Sequence, residues 1–174
     1  MVWLCRLLFL FSFALYWGGL TFYTGFVVRI SHDILNDPMD GGLITQRVTV
    51  ILQILGVVTV VTMLCNAFDV ARYAKARGIT LVVCALVLGL AVAMLFVVHA
   101  QLDSVIDADT SEITDRVAFK ARHRRYNQVT TIQWIMAVIY LPLTVFAWRH
   151  VDQKQAMMTD CSPSPEFNLS NGDD

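Results

Sequence analysis

Four stretches of this 174-residue chain carry no Asp, Glu, Lys or Arg: Leu7 to Val28, Val48 to Phe68, Ile79 to Val98 and Asn127 to Trp148. Each is close to the ~20 residues that a helix needs to cross ~30 Å of hydrocarbon. Lipid offers no partner for backbone N–H and C=O groups, so a spanning segment must satisfy them internally, and a helix does this within one segment. The runs therefore predict an all-α fold, a four-transmembrane-helix antiparallel bundle. A composition of 56% hydrophobic and 16% charged residues, with mean hydropathy +0.58, agrees with a membrane protein rather than a soluble domain.

The first run follows Arg6, as the apolar core of a signal peptide would. It is too long for one, and "WGGLTFYTG" has no A-x-A cleavage pattern, so it is read as a retained helix. A formal net charge of −1 excludes a nucleic-acid partner, because counterion release requires a strongly basic surface. Cys5, Cys65, Cys84 and Cys161 show no C-x-x-C spacing and read as structural thiols rather than disulfides or zinc ligands.

Residues 1–150 form the predicted transmembrane domain, and residues 151–174, rich in Pro, Ser and Asp towards their end, a disordered polar tail. Asp37-Pro38 and Gly41-Gly42 mark a turn-rich first connection before a helical pattern opening at "LITQRVTV". "DVARYAKARG" joins helices 2 and 3 as a hairpin, with Gly78 ending the basic stretch. In the third connection Asp109 and Glu112 form an Asp-x-x-Glu capping box, which predicts a short pre-membrane extension of helix 4 from Ser111. Pro142 removes one hydrogen bond from helix 4 and predicts a kink there. The span lengths suit a cell membrane, inner or plasma. Arg6, Arg72, Lys75, Arg77, Arg149 and Lys154 on one side nearly balance Arg29, Arg47, Arg116, Lys120, Arg122, Arg124 and Arg125 on the other. The compact "RYAKAR" loop tips the expectation towards cytoplasmic termini.

In such a bundle the first and third connections share one membrane face. That gathers a polar cluster of Arg29, His32, Arg47, His99, Asp103, His123, Arg124 and Asn127. Three stripes of small or polar residues point into the bundle from this face: Ala14, Gly18, Thr21 and Gly25 in helix 1; Thr45, Thr49, Gln53 and Gly56 in helix 2; His123, Asn127, Thr130 and Trp134 in helix 4. Thr49 and Gln53 are the intramembrane polar candidates, and the Gln53 amide must find an internal partner.

The leading functional expectation is a structural, interaction or lipid-associated role without catalysis. No Ser-His-Asp or Cys-His arrangement has a recognisable context. Arginines at the headgroups would meet the bilayer, an anionic lipid, a second copy or a partner membrane protein. The alternative is a redox or transport protein in which His32, His99 and His123 bind copper or haem, with Asp33 or Asp103 orienting a ring. A third class, a solute channel, requires Thr49, Gln53 and Asn127 to line a water-filled path.

The segments "LYWGGLTFYTGFVV", "LITQRVT" and "FKARHRRYNQVTTIQW" resemble the transmembrane protein 205-like family of small four-helix membrane proteins of unknown function. Trp17, Gly18, Gly19, Phe22 and Tyr23 match its Trp-Gly-Gly element, and Phe119 with His123 its Phe-x-x-x-His-like element. The resemblance implies the architecture of about residues 12–150 more than any chemistry. "YWGGLTFY" is more faintly similar to the copper-resistance D family and to membrane proteins of haem biosynthesis, which carry functional histidines. The chain departs from both in having no histidine early in helix 1.

Overall fold

The computed structural model describes residues 2–34, 38–104 and 115–160. Four helical stretches in it are long and apolar enough to cross a membrane: Trp3–Ser31, Ile44–Tyr73, Lys75–Leu102 and Val117–Met157. The protein is an all-α four-helix bundle and a multi-pass membrane protein.

The first stretch comprises α1 (Val2–Phe22), a π-helical turn (Tyr23–Val27) and α2 (Val28–Ile34), running without interruption. The hydroxyls of Thr21 and Thr24 donate to the carbonyls of Trp17 and Leu20, both at 2.7 Å. Such back-bonding competes with the helix's own ladder at the point where it widens.

The second helix, α3 (Pro38–Tyr73), starts earlier than its sequence pattern suggests. Pro38 takes the first helical position, where a missing N–H costs nothing, and Gly41-Gly42 lie within the helix rather than in a turn. The basic stretch read as a connection is helical too. Only Ala74 (φ −142°, ψ 79°) separates α3 from α4 (Lys75–Asp103). Gly78 sits in the first turn of α4, where a Cβ would stand 2.6 Å from the Ala71 backbone nitrogen. It permits the hairpin rather than ending a loop.

The last helix, α5 (Arg116–Asp160), has 45 residues, about 68 Å at 1.5 Å per residue, and so extends beyond the hydrocarbon. Its start is capped by Asp115, whose Oδ1 accepts the N–H groups of Val117 (2.9 Å) and Ala118 (3.0 Å). Because Asp115 is not helical, the expected continuous helix from Ser111 is corrected to a start at Arg116, and the Asp109/Glu112 box lies outside the described residues. The helix continues through Pro142 and past residue 150, where the tail was expected to begin. Val151 is buried and Asp152 pairs with Arg6, so the packed domain reaches at least Asp152; residues 161–174 lie outside the described set.

Backbones approach closely between α3 and α4, α4 and α5, and α1 and α3. The seam between α1 and α5 is instead filled by rings: Phe9 meets Tyr140 and Trp148 at centroid distances of 5.5 and 5.9 Å, and Trp17 meets Trp134 at 6.3 Å. The inward face of the first stretch is Phe9, Ser12, Phe13, Tyr16 and Leu20 of α1, with Tyr23 of the π-helical turn. The stripe expected to face a neighbour does so only at Thr21, whose Oγ1 accepts from Trp134 Nε1 at 3.0 Å; Ala14, Gly18 and Gly25 are exposed, and nothing lies within 4 Å of a Cβ added at either glycine. Large rings bridge a wider gap than small residues tolerate, which turns the small face outward.

Candidate functional site

The polar cluster expected at the first and third connections is only partly assembled. Arg29, Arg47, Arg124 and Arg125 are exposed and make no hydrogen bond or ion pair among the described residues. Arg122 is engaged: its Nη1 donates to the Gln101 carbonyl and, at 2.9 Å, to Ser104 Oγ, satisfying the carbonyl end of α4. The His123 ring is stacked between Phe119 (5.9 Å, 13°) and Tyr126 (6.2 Å, 12°) along the exposed flank of α5. His99 is half-buried on α4, while the side chains of His32 and Asp103 fall outside the described residues. Among the described residues no three His, Cys, Asp or Glu side chains come together as metal ligands. Asn127 is exposed, so it does not join Thr49 and Gln53 in lining an internal path as the channel reading requires.

The polarity that is built into the fold lies along the bundle axis. α3 and α5 both run from the first-and-third-connection end to the opposite end. Two hydrogen bonds fix their register at the same separation of 77 residues: Thr49 Oγ1 to Tyr126 Oη (3.0 Å), and Tyr140 Oη to the Met63 carbonyl (2.8 Å). The same offset sets Gln53 level with Thr130 and Gly56 level with Gln133. Tyr16 of α1 lies against Gly56, where an added Cβ would meet its ring at 3.1 Å, and it donates its hydroxyl hydrogen to Gln133 Oε1 at 3.1 Å. Further along, Thr59 donates to the Ser12 carbonyl (3.0 Å), and Ser12 Oγ bonds Thr62 Oγ1 (2.7 Å). Below that, Asn66 donates to Tyr140 Oη (3.2 Å) and accepts from Trp148 Nε1 (2.8 Å).

Gln53, Gln133, Asn66, Thr49, Thr59 and Thr144 are all buried at 3% exposure or less. Polar groups so placed in a membrane bundle fix helix register, because their alternative is an unpaired group in hydrocarbon. Gln53 is buried, but its Nε2 has no described protein partner of the kind expected for it. Gln133 and Asn66, its equivalents on α5 and α3, went unremarked in the sequence, although an amide in mid-run is the same signal. The axis is not an open channel: Phe9, Phe13, Met63 and Leu88 fill it at 3% exposure or less.

At the far end Arg6 forms a bidentate pair with Asp152 (2.8 and 3.1 Å) and lies 5.1 Å over the Trp148 ring. Lys154 donates to the Tyr73 carbonyl (3.4 Å) at the end of α3, and Arg77 to the Phe146 carbonyl (3.3 Å). Family models, curated proteins and solved structures yield no match to the chain.

Proposed function

We propose that this is a non-catalytic, lipid-associated membrane protein that holds anionic headgroups at the end formed by the first and third connections. The observation that carries this reading is the set of exposed arginines at one membrane face, Arg29, Arg47, Arg124 and Arg125, which no described side chain neutralises. A guanidinium at headgroup depth keeps its stem in apolar surroundings and presents a planar fork that matches a phosphate bidentately. Several such groups on one rigid bundle act together, each contributing about 1 kcal/mol near an anionic surface. The resemblance to the transmembrane protein 205-like family belongs to the same proposal and adds only architecture to it.

Native mass spectrometry of protein released from mixed phosphatidylglycerol and phosphatidylcholine nanodiscs tests the reading. The wild type is expected to retain phosphatidylglycerol preferentially. Changing Arg29, Arg47, Arg124 and Arg125 together to Gln should abolish that preference, whereas Arg72→Gln with Arg149→Gln at the other end should leave it. Equal retention in both variants overturns the assignment to this face.

A further inference from the structure

Between the Thr49–Tyr126 bond and the Tyr16–Gln133 bond, one level of the bundle axis holds donors that no protein group satisfies. Gln53 is 3% exposed and Gln133 1%, and the Nε2 of each has no partner. Thr130 Oγ1, level with Gln53 in the register of α3 and α5, is buried beside the Tyr126 hydroxyl, which engages it. Above this level stands a roof of Thr49 and Tyr126, with Tyr23 at the start of the π turn in electrostatic reach of Tyr126. Below it lies the Tyr16–Gln133 bond, where Gly56 lets the Tyr16 ring pack against α3. Gln133 Oε1 already accepts from Tyr16, so its amide nitrogen needs a different acceptor.

Two buried amide N–H groups, set about one turn apart along the axis by the register of α3 and α5, each call for an acceptor oxygen. Buried polar groups in folded proteins are almost always paired, through a bound molecule where protein groups do not suffice. We propose that this level is a binding site for one uncharged hydrogen-bond-accepting oxygen, from a water molecule or from the carbonyl of a membrane-soluble molecule of the quinone class. The small stripe on the back of α1 and the arginine face take no part in it, so the inference stands apart from the lipid-headgroup reading.

The test uses the full chain in detergent micelles with 15N-labelled glutamine, the Gln53 and Gln133 side-chain signals being assigned from Gln53→Leu and Gln133→Leu. Nuclear Overhauser cross-peaks from both amide groups to water support the site with water as its occupant. Saturable shifts of both signals on adding a short-tailed benzoquinone, absent in Gln53→Leu, support the carbonyl. Signals that show no water cross-peak and do not move with the quinone overturn the proposal. Should either Leu variant fail to fold, Gln53→Asn and Gln133→Asn assign the signals instead, and the wild-type spectrum still decides.

Discussion

The two ends of the bundle use their cations differently. At the end with the termini, Arg6, Arg77 and Lys154 are bonded to Asp152, to the Phe146 carbonyl and to the Tyr73 carbonyl, leaving Arg72, Lys75 and Arg149 outward. At the other, Arg122 alone among the arginines described closes a helix end, and Arg29, Arg47, Arg124 and Arg125 face outward. A near-equal tally of basic residues thus conceals one end where half of the cations are tied into the bundle and one where, among the described arginines, Arg122 alone is. The difference follows from helix length. α5 runs far enough past the membrane to bring Asp152 to Arg6, and the one-residue α3–α4 turn holds the Tyr73 carbonyl in reach of Lys154.

The end with the termini breaks most severely at the hairpin. Gly78→Val should cost ~3 kcal/mol or prevent folding, because the colliding group is the Ala71 backbone and cannot rotate away. Thermal unfolding in detergent, followed by helical circular dichroism, measures this; a wild-type midpoint would mean that the hairpin is looser than drawn.

A smaller loss is expected from Asp152→Ala. Arg6 is only 12% exposed and would keep its charge beside Trp148 without its carboxylate, while Asp152 is 54% exposed, so solvent screening limits the loss to about 1–2 kcal/mol. A double-mutant cycle with Arg6→Ala isolates the coupling, and a value near zero would show that the rings alone hold the seam.

Two neighbouring arginines sharpen the contrast at the opposite end. Arg122→Gln removes donors to Gln101 and Ser104 and should cost about 1 kcal/mol. Arg124→Gln should stay within about 0.5 kcal/mol of wild type, since Arg124 is exposed and makes no hydrogen bond or ion pair among the described residues. Equal effects on the unfolding midpoint would erase the distinction between a capping and an outward arginine.

The sequence by itself determined the four spans, because crossing hydrocarbon sets a length and a polarity that can be read residue by residue. It singled out Gln53 as the residue least explained by anchoring, since an unpaired amide in hydrocarbon is costly. It misjudged α1, where small residues were expected inside and aromatics are found there. In a soluble helix the polar face would have settled that choice; here lipid and core are equally apolar, and periodicity leaves rotation about the axis open. Only the tertiary structure decided the rotation, the common register of α3 and α5, and the pairing of Arg6 with a residue 146 positions away. These depend on which helices are neighbours, and side-chain volume and hydrogen-bond geometry across helices fix that where local sequence cannot.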